Sequence, residues 1–416
     1  MKILFLAPRL PYPLDTGAKI RTFNLIKEAA RKHHVSLLCF SFSPNDAVFK
    51  NEIEGFGVKI SLVEGISDKR TIKSAWDLFF SSTPLSVAKY RILNMVYDFK
   101  KLIIKEKFDL IHYDHLLMGQ YVEYAHGIPA VVDEHNVETI IYERCADVEK
   151  NFIKRNIFKS QAKKMAALES SLVNKFSACL TVSEHDKMNL YKLSGGSARI
   201  AVIPNGVDTE YFRPQKQKLT RASDENIIFT GSMDWLPNED AVEYFCTEIM
   251  PILWRTKPHV KLFVVGKNPS ASVRKLSGQE ERIVVTGTVD DVRPYINNAM
   301  VFVVPLRIGG GSRLKILEAM AMGKAVVSTT IGAEGIQYTD QKNLILADDP
   351  DRFAKTVLEL LDNPERREEL GEEGRRLVEE VYDWRKIGEG LNKVYEEVMT
   401  LYPASSQRGE GKEPVG

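Results

Sequence analysis

A chain of 416 residues is too long for one ordinary core, and its length favours two domains. With 44% hydrophobic and 27% charged residues it has the composition of a soluble globular protein, and a formal net charge of +1 argues against a nucleic-acid partner. The charge is uneven: residues 1–210 hold 29 Lys and Arg against 24 Asp and Glu, and the remainder 28 against 32, which makes the first half mildly basic. The opening apolar run, Ile3 to Ala7, falls short of the roughly 7–15 residues of a secretory segment. No run reaches the ~20 apolar residues that span a bilayer, so a cytoplasmic protein is expected. Cys39, Cys145, Cys179 and Cys246 form no CxxC pair and read as buried free thiols.

In chain order, short apolar runs read as strands at 2–7, 35–40, 58–63, 108–113, 130–133, 178–182 and 199–203. A second series follows at 226–231, 261–266, 282–287, 300–305, 324–329 and 343–347. Between them, apolar residues at three- and four-residue spacing predict helices over 17–31, 115–125, 236–254 and 351–362, and one long helical region over about 137–176. Apolar strands alternating with helices mean an α/β protein with parallel sheets covered on both faces, and the pattern occurs twice. The polar, proline-bearing stretch 204–225 is the linker, and the Gly-, Pro- and Ser-rich end should be disordered. Within the long helical region, Lys150, Lys154, Arg155, Lys159, Lys163 and Lys164 are interleaved with Phe152, Ile153, Ile157 and Phe158. Such a basic amphipathic helix suits an anionic membrane surface, or simply a solvated face with its apolar side in the core.

The segment PLRIGGGSRLKILEAMAMGKAVVSTT (305–330) holds the strongest local signal. Gly309–Gly311 follow a strand directly, Ser312 can cap a helix, and Gly323 stops it. Strand, glycine loop and helix N-terminus together bind anions, because first-turn N–H groups are unpaired and the dipole presents its positive end. Arg313 and Lys315 are locally unfavourable beside that end unless an anion is bound, so the pair argues for a phosphate ligand. Glu318 is a lone acid in an otherwise apolar helix and needs a partner, which a ribose diol could supply. The bland alternative is an i,i+3 pair between Lys315 and Glu318.

Taken with KILFLAPRLPYPLDTGAKIRTFNLIKEAA (2–30), VVDEHNVE (131–138), LTVSEHD (180–186), VIPNGVDTEYFRP (202–214), IIFTGSMDWLPN (227–238), VVGKNPS (264–270) and VTGTVDDVRPYI (285–296), this segment makes the chain resemble the retaining GT-B glycosyltransferases of group 1, family 4. The resemblance covers about residues 1–400 and comes nearest to transferases of bacterial exopolysaccharide and exosortase systems. It implies two Rossmann-like domains facing across a cleft: 1–205 for the acceptor, completed by a helix at 384–401, and 206–383 for the nucleotide-sugar, with a disordered tail at 402–416.

Carried over residue by residue, Glu318 matches the ribose-binding glutamate of the family's Glu-x7-Glu element. The first glutamate of that element would stand at Gly310 and is missing, so backbone N–H groups of Gly310, Gly311 and Ser312 are expected to replace it. The diphosphate-holding cations that often follow the first strand of the second domain are also absent. Arg313 and Lys315 should take that role, aided by Gly231 and Ser232. His135 matches a histidine beside the reacting sugar, where it would contact sugar hydroxyls and steady developing charge; a capping or packing role is the alternative. Gly17 matches the glycine that lets its loop approach the donor phosphates, and Asp15 is a weaker acceptor-side candidate. Thr288 and Val289 match positions where the nucleotide base packs. His112 and His115, with Asp114 between them, invite a metal reading, but acceptor contact is favoured because no third ligand is spaced to follow.

The implied reaction is transfer of a sugar from a UDP- or GDP-linked donor to a glycan or lipid-linked acceptor, with anomeric configuration retained, no metal and no cofactor. Localisation is expected to be cytoplasmic, peripheral on the inner membrane face through the basic helix 150–164. Two rivals share the fold: a nucleotide-sugar epimerase, and a non-catalytic nucleotide-sugar-binding module motivated by the missing glutamate. The loop LAPRLPYPLDTG lacks the GxGxxG turn of a dinucleotide oxidoreductase.

Overall fold

The computed structural model describes residues 1–65, 81–215, 225–309 and 314–402. Gly310, Gly311, Ser312 and Arg313, part of the linker stretch, and the tail from 403 onward lie outside the described residues. The chain divides into two compact units, one of residues 1–203 with 387–416 and one of residues 204–386.

The first unit is built on strands β1 (Lys2–Ala7), β2 (His34–Ser41), β3 (Lys59–Glu64), β4 (Leu110–Asp114), β5 (Ala130–Glu134), β6 (Ala178–Thr181) and β7 (Ile200–Val202). All pair in parallel, in the order β3-β2-β1-β4-β5-β6-β7. β1, β4 and β5 are buried along almost their whole length, which is why they read as unbroken apolar runs rather than alternating ones. The helices of this unit include α1 (Gly17–Ala30), α2 (Leu93–Lys105), α3 (Glu138–Val148) and α4 (Phe152–Val173). The single helix expected over 137–176 is two. Asn151 breaks it by capping α4, its Oδ1 accepting from the N–H groups of Ile153 at 3.0 Å and Lys154 at 3.1 Å. The helix expected over 115–125 shrinks to two short turns, 116–119 and 122–124.

The second unit repeats the plan with β8 (Asn226–Thr230), β9 (Lys261–Val265), β10 (Ile283–Gly287), β11 (Val301–Val304), β12 (Ala325–Ser328) and β13 (Ile345–Leu346), parallel in the order β10-β9-β8-β11-β12-β13. Helix α5 (Leu236–Tyr244) follows β8, and α6 (Leu314–Ala321) follows β11. Gly323 closes α6 at φ 66°, the left-handed position that the sequence called for. In each sheet the strand order reverses between the first and fourth strands, β1/β4 and β8/β11. Chain leaving such a pair diverges and opens a crevice at the carboxyl edge, where ligands bind in doubly wound folds.

The final helix, α7 (Trp384–Leu401), enters the first unit at residue 387. Ile387, Leu391, Val394, Tyr395 and Val398 recur at three- and four-residue spacing and are buried. Asn392 bonds His33 Nε2 at 2.9 Å, and a Cβ at Gly388 would come within 2.5 Å of Glu28.

Candidate functional site

In the second unit the switch point between β8 and β11 gathers residues from three segments. Gly231 follows β8 at φ 154°, and a Cβ there would lie 2.8 Å from both Lys315 Nζ and Asn238 Nδ2. Only glycine leaves those two side chains their places. Lys315, near the start of α6, gives its ammonium to Asn238 Oδ1 at 2.8 Å and rests 3.9 Å from the centroid of the Phe229 ring. Asn238, in the first turn of α5, also donates to the Ser232 carbonyl at 2.8 Å. One amide therefore ties the glycine turn after β8 to the cation on α6. Ser232 Oγ donates to Asp234 at 2.6 Å, and Asp234 accepts from Asn268 at 2.9 Å, so the turn is braced on its other side.

Glu318 lies one turn beyond Lys315 on α6 and is partly buried. Burial pushes its carboxyl up to about 7, against the opposing pull of Lys315. Among the described residues it has no hydrogen-bond or ion-pair partner; Lys315 points to Asn238 instead, so the simple i,i+3 pair does not form. A half-sheltered carboxylate with open acceptor positions beside a fixed ammonium is suited to a ligand carrying both hydroxyls and an anion. Thr288 is exposed, and Val289 packs partly buried against the second core. Nearby in sequence, Arg293 grips Asp291 at 2.7 Å and lies over the Tyr211 ring at 3.7 Å.

In the first unit the carboxyl edge of β4 and β5 carries a buried charged network. Arg21, on α1 and fully buried, clamps Asp133 through Nε at 2.7 Å and Nη2 at 2.6 Å. His135 Nε2 stands 3.0 Å from Asp114 Oδ1 and 3.3 Å from Asp133 Oδ2. Thr22 Oγ donates to Asp114 at 2.8 Å. Burial by itself would lower the His135 pKa, but Asp114 and Asp133 raise it to about 9, so the ring is an imidazolium at neutral pH. Burial likewise opposes charge on Asp133, yet Arg21 and His135 hold its carboxyl well below the usual range. Two cations facing two carboxylates leave the cluster balanced.

His115 caps the turn after β4 at φ 72°, reaches Glu138 at 3.5 Å, and its ring centroid is 5.2 Å from that of His135. It belongs with His135. His112 does not. β4 runs to Asp114 and carries His112 inside the sheet, completely buried, stacked on Phe5 at 4.3 Å and bonded through Nδ1 to the Tyr395 hydroxyl at 2.7 Å. Burial pushes its pKa down to about 4, so it is a neutral packing residue, closed to an acceptor. His112, Asp114 and Asp133 have ligand-type atoms within 4.8 Å of one another; Asp133 is held by Arg21 and Asp114 by Thr22 and His135, while His112 bonds Tyr395 through Nδ1 and keeps Nε2 buried without a hydrogen-bond partner among the described residues. Asp15 is exposed and paired with Lys19 at 3.0 Å, and Gly17 begins α1 behind its Thr16 cap. Sequence reading missed Arg21, Asp133 and Asn238. Only Asn238 left a local signal, as an amide in the first turn of a helix entered from a glycine loop.

Family models match both halves of the chain. The family model described as Glycosyltransferase Family 4 matches residues 16–211, and that described as Glycosyl transferases group 1 matches residues 224–363. An uncharacterised 44.6 kDa protein in the cps region of Klebsiella pneumoniae is 20% identical over 94% of this chain and 99% of its own length. The UDP-Gal:alpha-D-GlcNAc-diphosphoundecaprenol alpha-1,3-galactosyltransferase of Escherichia coli is 24% identical over 84% of this chain and 86% of its own. Among solved structures, sucrose-phosphate synthase from Thermosynechococcus elongatus superposes with a TM-score of 0.74 at 18% identity, covering 96% of this chain and 100% of that one. HepE of Anabaena, in complex with UDP and glucose, gives 0.69 at 15% identity, covering 95% and 99%. These likenesses identify the fold as GT-B.

Proposed function

We propose, for a chain that belongs to the group 1, family 4 glycosyltransferases, that it is a retaining hexosyltransferase using a UDP- or GDP-linked sugar. Its acceptor is a glycan or lipid-linked saccharide of bacterial surface or exopolysaccharide biosynthesis. The observation that carries this reading is Lys315, fixed by Asn238 and Phe229 over the glycine turn after β8, with the partner-poor Glu318 one turn further on. In it, Lys315, Arg313 and the N–H groups of Gly310, Gly311 and Ser312 take the donor's diphosphate. Gly231 and Ser232 give it room, Glu318 accepts from the ribose hydroxyls, and the base rests on Thr288 and Val289.

As the glycosidic bond breaks, negative charge grows on the diphosphate. A preorganised donor at such a site is worth about 3–4 kcal/mol to the transition state. Lysine and helix terminus supply that charge, so neither metal nor other cofactor is required. His135, as an imidazolium, donates to the sugar's hydroxyls and cannot serve as a base. Gly17, Asp15 and His115 are assigned to the loops that meet phosphate and acceptor. The E. coli transferase named for a diphosphoundecaprenol-linked substrate supports a lipid-linked acceptor, and the Klebsiella relative from a cps region supports a place in surface-polysaccharide biosynthesis. Among the described residues no helix is long and apolar enough to cross a membrane. The basic segment 150–164 is assigned to peripheral contact with the inner face.

The test is a thermal-shift panel of UDP, GDP and their sugars, followed by turnover on a lipid-linked acceptor with NMR of the product's anomeric centre. One nucleotide should stabilise the protein, and Lys315→Ala and Arg313→Ala should each abolish the shift. Unchanged shifts in both variants would refute the phosphate assignment. Epimer or free sugar formed without acceptor, or binding with no turnover, would replace the transferase by one of its two rivals.

A further inference from the structure

Helix α2 has two apolar faces. Met95, Phe99 and Ile103 are buried in the first core, as expected of a helix on a sheet. Leu93, Tyr97 and Ile104 are 85%, 67% and 76% exposed. At ~100° per residue those three fall within about 40° of one another around the axis, on the side away from the buried stripe. An apolar stripe on the solvent side of a helix that has already paired its other face is not explained by the fold.

Its borders are basic. Lys100 and Lys101 flank the stripe, Lys105 follows at its end, and residues 89–107 hold six Lys and Arg against two Asp and Glu. The Lys101 ammonium stands 5.9 Å from the Tyr97 ring centroid and that of Lys100 4.7 Å from the Tyr124 centroid, so both cations are held beside aromatic faces at the border of the stripe. Of the two acids, Glu106 faces Lys59 at 3.5 Å.

A second protrusion has the same chemistry. The first turn of α4 exposes Phe152 (73%) and Ile153 (68%) beside Lys150, Lys154 and Arg155. Met95, Phe99 and Ile103 of α2 share one core cluster with Met165, Leu172 and Val173 of α4, so both helices cover the same face of the sheet. Each returns the chain toward the start of a parallel strand, β4 or β6, so both begin on the carboxyl-edge side. An apolar stripe and a separate apolar tip, each bordered by cations, match an extended anionic surface better than a single groove on a protein.

We propose that the outer face of α2 is a bilayer-docking surface. Leu93, Tyr97 and Ile104 enter the headgroup region of an anionic membrane, Lys100, Lys101 and Lys105 meet lipid phosphates, and the α4 tip is the second point of contact. The docking itself is independent of catalysis; only its purpose, delivery of the enzyme to a lipid-linked acceptor, rests on the transferase reading.

The experiment is flotation of the full-length protein with vesicles of phosphatidylcholine alone and of equal parts phosphatidylcholine and phosphatidylglycerol. The protein should float with the anionic vesicles only, less so at high salt. Leu93→Glu/Ile104→Glu and Lys100→Glu/Lys101→Glu should each weaken partitioning about tenfold or more. The altered side chains are at the surface, so melting temperature and nucleotide-induced thermal shift should be unchanged on the same samples. Four results would overturn the proposal: no flotation of the wild type, equal flotation of both α2 variants and the wild type, loss only in Phe152→Glu/Ile153→Glu, or a self-association broken by Leu93→Glu/Ile104→Glu without flotation. Failure of the transferase reading would show separately, as a wild type that floats but gives no nucleotide-induced shift.

Discussion

Replacing Asp114 by Asn removes one of the two carboxylates that hold His135 as a cation while keeping the shape of the side chain. His135 rises from 6.5 to about 9 although burial pushes the other way, so its carboxylates together favour the protonated ring by more than about 3 kcal/mol. Asp114 at 3.0 Å and Asp133 at 3.3 Å share that work, but Asp133 also serves Arg21, so the larger part falls to Asp114. The pKa of His135 should then fall by about one unit or more in Asp114→Asn. A histidine whose pKa is raised on folding contributes stability that is complete below its unfolded value and lost as pH rises through its folded one. The variant should therefore melt earlier than the wild type at about pH 6, and the difference should shrink above about pH 9. Carbon-13 NMR of the eight histidines, with His135→Asn to assign the signal, reads the pKa directly. A wild-type His135 that titrates near 6.5, or at one value in both proteins, would refute the reasoning.

Asn238→Ala should release Lys315 and weaken nucleotide binding about tenfold, the cost of one charge-assisted hydrogen bond, with little change in the far-UV spectrum. Gly231→Ala sets a methyl 2.8 Å from Lys315 Nζ at φ 154°; calorimetry should show binding lost and stability down by roughly 1–3 kcal/mol. Because burial raises Glu318 to about 7, its ionisation on folding becomes costlier as pH climbs from the ordinary carboxylate range to 7, so it subtracts stability across that window. Glu318→Gln should flatten that slope in pH-dependent melts and also remove the pH dependence of nucleotide affinity near 7. Tyr395→Phe strands His112 Nδ1 in the core and should lower stability by about 1–3 kcal/mol while leaving nucleotide affinity alone.

The strands were legible because both sheets are parallel and covered on both faces, so β11 reads VFVV and β12 reads AVVS with every residue buried. The last helix, implied by the family resemblance at about 384–401, forms over Trp384–Leu401, where Ile387, Leu391, Val394 and Val398 keep a helical period and are buried. The break between α3 and α4 had a signal in Asn151, a capping residue, but the run of lysines and apolar residues around it continued the helical pattern and masked it. In the second unit, Lys315 could be named from the helix start that follows a glycine loop, and Gly231 and Ser232 from the family motif that the resemblance places there. The network around His135 could not. Arg21 and Asp133 are 112 residues apart and meet only because β1, β4 and β5 lie side by side and α1 packs near their carboxyl edge. His112 was misjudged for a related reason: alternation along β4 turns it toward Phe5 and Tyr395, and nothing local in IHYDH reveals that α7 closes over it.

The seat of the nucleoside diphosphate decides the rest, and a crystal structure of the protein with UDP or GDP measures it directly. It should show the diphosphate within hydrogen-bond distance of Lys315 Nζ, against the Gly231 turn, and both ribose hydroxyls on the Glu318 carboxylate. A nucleotide bound elsewhere, with Lys315 still engaged by Asn238 and Glu318 untouched, would contradict it.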